Sequence, residues 1–171
     1  MTYKIRNLGV ISDRRSGALI DKNGDICWYC PGQFDNPSLF ASMLDNEKGG
    51  VWSVSLPKNY EAERRYIEGS SILETHFTAE DDAFTITDWM PLHNDFSGIC
   101  RAFSSSSVLR ESTLVPAPGY GQEEVKISKI DNTTISINNK YFLMGSHPAK
   151  TEKGKITFEI PANEKGWAVL A

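Results

Sequence analysis

Apolar and polar positions alternate in short runs along almost the whole chain, and turn residues punctuate the runs. The cleanest case is KITFEI (155–160), where Ile156, Phe158 and Ile160 would face one way and Lys155, Thr157 and Glu159 the other. A period of two residues is that of a strand with one buried face. EVKISKI and TTISINN read the same way, and SILETHFTA and AFTITDWM form a pair joined across Glu80-Asp81-Asp82, a turn expected to be solvated. Near the start, apolar runs at 18–20 and from 26 flank Asp21-Lys22-Asn23-Gly24-Asp25. Asn-Gly tolerates the positive backbone dihedrals of a tight reversal, so the pattern predicts a β-hairpin. One helix is expected, near residues 37–45, with Asn36-Pro37-Ser38 as its cap and Leu39, Phe40, Met43 and Leu44 on one face. The serines at 104–107 read as polar positions in or between strands, and GWAVLA (166–171) as a last, apolar strand. Many short strands with turn signals between them predict an all-β, antiparallel β-sandwich.

Composition narrows the function. At 171 residues, with 40% hydrophobic and 23% charged positions, the chain is expected to form a single domain over 1–171. A net charge of −4 offers no footprint for nucleic acid or an anionic membrane, both of which reward clustered Lys and Arg, and the isolated pairs Arg14-Arg15 and Arg64-Arg65 do not change this. No apolar run approaches the roughly 18 residues of a membrane-spanning helix, and the first residues lack the apolar stretch of a secretory signal. A cytoplasmic protein is expected. The apolar ending GWAVLA suggests a polypeptide that continues into a larger parent.

Recognisable chemistry is sparse. Cys27-Trp28-Tyr29-Cys30 has the spacing of a redox or zinc motif, but Cys100 and the scattered His76, His93 and His147 do not complete a set of four zinc ligands. The cysteine pair ends a hairpin rather than opening a helix, and along a strand Cys27 and Cys30 would point to opposite faces, so packing thiols are expected. Neither a metal nor another cofactor is expected. Asp13, Asp35, Glu74 and Asp88 are read as solvated or hydrogen-bonded carboxylates rather than catalytic ones. The aromatics Trp28, Tyr29, Phe34, Trp52, Tyr66, Trp89 and Trp167 are numerous enough to stack sugar rings, although aromatics at strand positions usually belong to the core.

With these residues set out, the stretch ISDRRSGALIDKNGDICWYCPGQFDNPSLFASMLDNEKGGVWSV resembles the opening of bacterial and archaeal glycoside hydrolase family 15 proteins, the glucoamylase, glucodextranase and trehalase group. The matching positions include Gly24, Trp28, Cys30, Phe34, Asp35, Pro37, Phe40, Gly49, Gly50 and Trp52; RRYIEGSSILETHF and ITDWMP extend the likeness to about residue 92. Further on, PAPGYG loosely resembles the family's P-R-F-D-Y-G. Gly32-Gln33 stands where the family carries Pro-Arg, and Cys27 where it usually carries Asp.

The resemblance implies a large N-terminal antiparallel sandwich, a super-β-sandwich, followed in the family by an (α/α)6 barrel that holds two glutamates as general acid and base of an inverting α-glucoside hydrolase. The barrel is absent from this chain, which is therefore expected to have no catalytic residues and no hydrolase activity of its own. The leading expectation is a scaffold for that catalytic domain, its partner in the same parent protein, with Trp28, Phe34, Asp35 and Asn36 at the interdomain contact or touching carbohydrate. The alternative is a carbohydrate-binding module for α-glucan or maltooligosaccharide.

Overall fold

The computed structural model describes residues 3–56, 59–93 and 95–171. After a 3-10 turn at Ile5–Asn7, the described residues form β1 (Gly9–Ser12), β2 (Gly17–Ile20), β3 (Ile26–Tyr29), β4 (Val51–Val54), β5 (Glu61–Tyr66), β6 (Leu73–Ala79), β7 (Asp82–Trp89) and β8 (Ile99–Phe103). There follow β9 (Arg110–Val115), a single helical turn at Pro118–Gly121, β10 (Ile127–Lys129), β11 (Thr134–Ile137), β12 (Tyr141–Gly145), β13 (Ala149–Glu152), β14 (Lys155–Ile160) and β15 (Gly166–Leu170).

Two antiparallel sheets result, ordered β1-β2-β3-β4-β9-β14-β13 and β10-β11-β12-β15-β8-β7-β6-β5. The alternation in the sequence explains their packing. Ile11, Ile20, Ile26, Trp52, Leu114, Ile156 and Phe158 of the first sheet meet Leu73, Ile99, Ile135, Leu143 and Leu170 of the second in one buried cluster. That is the core of an all-β sandwich. Val54, Phe77, Phe84, Ile86, Phe103 and Ile160 make a second cluster, in which the Phe77 and Phe84 rings stack 5.0 Å apart.

The expected helix at 37–45 does not form. Leu39 N–H and Phe40 C=O bond to Tyr29, Leu39 C=O accepts from Ala117, and Ala41 and Ser42 donate to Gly49 and Gly50. The backbone groups a helix would pair internally are thus taken by other segments, and only a turn closed by Leu44 and Asp45 on Ala41 C=O remains. Ser38, the expected cap, is buried with an unpartnered hydroxyl, while Leu44 faces solvent rather than the core.

The acidic tip 80–82 also differs from its expectation. Asp82 is not solvated: Ser106 and Ser107 donate to it at 2.7–2.9 Å through two hydroxyls and the Ser107 N–H, and Arg110 pairs with it. Burial alone would raise this carboxyl, but those donors and the cation hold it at about 2. The serine run is the other half of this site.

At the opposite extreme, burial together with the neighbouring Asp21 pushes Asp25, at the end of the β2–β3 turn, up to about 7. Its folded value lies above its unfolded one, so its contribution to stability is complete below about 4 and is lost as pH rises through about 7. Asp25→Asn, which keeps an acceptor for Val54 N–H, is expected to flatten the pH dependence across that window and to leave the variant more stable than the parent at pH 8. Urea midpoints at pH 5 and pH 8 test this; an unchanged difference between them would count against it.

Candidate functional site

The motif-bearing segment builds one end of the sandwich. β3 carries Trp28 opposite Leu19 of β2, and its half-buried ring lies 5.9 Å from that of Tyr120, tilted by 49°. Tyr120 reaches this position through a left-handed turn in which Gly119, Tyr120 and Gly121 have φ of 60°, 61° and 75°. A tyrosine in that region is strained, and the surrounding bonds hold it: Gly119 N–H donates to Ser38 C=O and Gly121 N–H to Ala117 C=O. Burial raises the Cys30 thiol, opposed by a hydrogen bond with Tyr120. The fold therefore joins Trp28 and Cys30 to a tyrosine ninety residues away in sequence, ~90 positions being a separation no local pattern spans.

From Cys30 the chain enters the 31–38 loop. Ser16 donates its hydroxyl to Cys30 C=O, Phe34 N–H donates to Arg15 C=O at 3.0 Å, and Asn36 Nδ2 donates to Pro31 C=O at 2.7 Å. Gly32 has φ 84°, and a Cβ there would sit 3.0 Å from Asn36 Nδ2. Proline, which the family resemblance places at this position, is locked near −65° and cannot adopt that conformation.

The loop is fastened to its neighbours through Arg15 and Asp13. Arg15 Nη2 donates to the carbonyls of His93 and Phe96, both at 3.0 Å. Asp13 accepts from Arg15 N–H, Ser16 N–H and the Ser97 hydroxyl, which together outweigh its burial and hold its carboxyl below the usual range. Segments 13–16 and 31–38 therefore form one hydrogen-bonded end with His93, Phe96 and Ser97. Ala171 lies at the same end, because β15 pairs Leu170 with Ile99 at the start of β8.

The four residues singled out from sequence occupy this end in different ways. Phe34 is 60% exposed, with its ring edge over Gly17. Asp35 is exposed and makes no side-chain hydrogen bond or ion pair with the described residues. Asn36 is the internal fastener just described, and Trp28 is packed on Tyr120. Sequence reading missed Arg15 and Tyr120 as parts of this arrangement; the Arg14-Arg15 pair and the Y-G of PAPGYG were the available signals.

The cysteines are free and buried. Cys27 Sγ donates to Leu19 C=O at 3.4 Å, and burial, with Asp21 nearby, pushes its thiol up to about 12. A thiol so raised is inert at neutral pH. Among the described residues, no group of three or more His, Cys, Asp or Glu side chains is placed to hold a metal ion, and no helix is long and apolar enough to cross a membrane. Ser146, His147 and Glu164 form a hydrogen-bonded series at 2.8 and 3.1 Å, which ties the turn after β12 to the turn before β15.

Comparison with known proteins gives a consistent picture. A family model described as trehalase-like, N-terminal, matches residues 1–157. The chain is 30% identical over 160 residues to Trehalase 1 of Sulfolobus acidocaldarius, covering 94% of this chain and 26% of that protein. It is 29% identical over 146 residues to the trehalase of Thermoplasma volcanium, covering 80% of this chain and 23% of that one. Against Trehalase 2 of Sulfolobus acidocaldarius the identity is 35% over 86 residues, 50% of this chain and 14% of the relative. The matched segment thus spans about a quarter or less of these relatives.

Proposed function

The chain belongs to the trehalase-like N-terminal family, and on that premise we propose that it is a non-catalytic sandwich domain supporting the folding, solubility and active-site architecture of an α-glucoside-hydrolysing (α/α)6 domain in a longer protein. The observation that carries this reading is the match of residues 1–157 to an N-terminal family whose relatives are about four times as long as the matched segment. The acid and base of the inverting reaction then belong to the partner domain. The 31–38 loop serves as contact, with Phe34 and the exposed Asp35 projecting from a base fastened by hydrogen bonds of Arg15 and Asn36. Three free thiols fit a reducing compartment such as the cytoplasm.

Adding the chain to the catalytic part of the Thermoplasma volcanium trehalase, produced separately, is expected to raise its folded yield or its activity. No change in either would overturn the reading. Phe34→Ala is expected to weaken the association by about 2 kcal/mol, roughly thirtyfold, as loss of an exposed aromatic anchor does. Isothermal titration of parent and variant measures it.

The tilted Trp28–Tyr120 pair supports a second reading, α-glucan binding. Under it, millimolar maltooligosaccharide shifts the tryptophan emission of the parent but not that of Tyr120→Ala. A silent parent retires it.

A further inference from the structure

The outer face of the eight-stranded sheet is divided into an apolar half and a polar half. Met144, Val169, Cys100 and Trp89 are successive partners across β12, β15, β8 and β7. Their chain neighbours Leu143, Leu170, Ile99 and Asp88 are buried between the sheets, so the row itself lies on the outer face, where Cys100 keeps only 8% of its surface exposed among its neighbours. It continues past the ends of β6 and β5 through Ile72 and Ile67, joined by an N–H···O=C bond of 3.0 Å. Phe142, Met144 and Ile67 keep 40 to 41% of their surface exposed, and Trp167, one register step along β15, keeps 48%. The next row from Trp167 passes over Ala102 and Thr87 to the Glu74–Arg65 ion pair, and the row after that is Thr85, His76 and Glu63.

An apolar strip bounded on one side by charged and hydroxyl groups has the composition of a protein contact, with a water-excluding centre and a polar rim. We propose that this strip is a second docking surface, covered by the catalytic domain of the longer protein; the proposal rests on the interdomain reading above. Two features of the fold select that occupant. The strip adjoins the motif-bearing end, since Trp89 lies four residues before His93, whose carbonyl Arg15 holds together with that of Phe96. The end of β15 also reaches its margin, where Ala171 is bonded in both directions to Phe142, so the strip and the 31–38 loop flank one corner of the sandwich. A domain seated on that corner touches both surfaces.

The test compares three forms of the chain for binding to the catalytic part of the Thermoplasma volcanium trehalase: the parent, the Met144→Lys/Val169→Lys double variant, and Phe34→Ala. Both lysine positions point outward, and far-UV circular dichroism checks that the sheets persist; Trp167→Ala, at the edge of the strip, serves if they do not. The double variant is expected to bind at least a hundredfold more weakly than the parent, and Trp167→Ala at least tenfold. A strip variant that binds within twofold of the parent while Phe34→Ala binds weakly overturns the strip and leaves the loop contact standing. If the parent does not bind, the interdomain reading fails and takes this proposal with it. Sedimentation of the chain alone supplies the remaining outcome: a dimer abolished by the lysine substitutions would make a second copy the occupant and overturn the assignment.

Discussion

Arg101→Met is expected to destabilise the fold by about 3–5 kcal/mol at pH 8, the usual result of removing one partner from a buried ion pair. Arg101 and Asp88 face each other from neighbouring strands, both side chains fully buried. Arg101 Nε donates to Asp88 Oδ1 at 2.7 Å, and Nη2 donates to Asp88 Oδ2 at 3.2 Å and to Gly24 C=O at 2.7 Å. The guanidinium also lies 5.0 Å from the centre of the Trp52 ring, bridging the two sheets. Burial raises the Asp88 carboxyl and Arg101 opposes it. Without the cation the carboxyl takes up a proton more readily, so stability in the variant falls as pH rises and the loss is smaller at pH 5 than at pH 8. Asp88→Leu combined with Arg101→Met is expected to recover part of the loss, though not all, because Gly24 C=O still lacks its donor. Urea denaturation of the three proteins at both pH values checks this; a double variant less stable than Arg101→Met would contradict it.

Trp52→Ala is expected to cost about 3–5 kcal/mol, in the range for an aromatic removed from a close-packed core. The ring is fully buried, and Nε1 donates to Ser112 Oγ at 2.8 Å on β9. Trp52→Phe is expected to cost less, since it keeps most of the volume and loses the N–H. Because Trp52 and Arg101 touch, the two substitutions are expected to couple rather than add, which a double-mutant cycle of denaturant midpoints measures. Strict additivity would mean that the ring and the guanidinium contribute independently. The glycines before Trp52 set its position. A Cβ on Gly49 would lie 2.3 Å from Ala41 C=O, and Gly50 takes φ 70° with Val115 C=O 2.5 Å from where its Cβ would be. Gly49 and Gly50 are therefore a backbone crossing, and Trp52 after them is a core anchor.

Much of the fold was legible in the chain. The alternation of Ile156, Phe158 and Ile160, the hairpin around Asn23-Gly24 and the β6–β7 pair all rest on local period and turn chemistry, and all three are present. The 37–45 segment was misread because its helical pattern is outweighed by distant partners: Tyr29, Gly49 and Ala117 take its backbone groups. Asp82 was misread for a related reason, since the serines and the arginine that hold it lie about 25 positions away, on the far side of two strands. The segment carrying Trp28, Phe34, Asp35 and Asn36 could be marked in sequence, but the separate roles of those residues could not. Which of them projects and which fastens depends on Arg15, Tyr120, His93 and Phe96, none of them adjacent in the chain to the loop.

The sequence by itself determined the strand periodicity, the turns, the inert placement of the cysteines in a hairpin and the family likeness, because each is written in residues a few positions apart. Tertiary structure alone decided the bridging Arg101–Asp88 pair, the Trp28–Tyr120 contact, the undoing of the helix and the division of the outer sheet face into apolar and polar halves. Each of these depends on which strands become neighbours. That choice is set by how the whole core buries its apolar surface, a property no single segment carries.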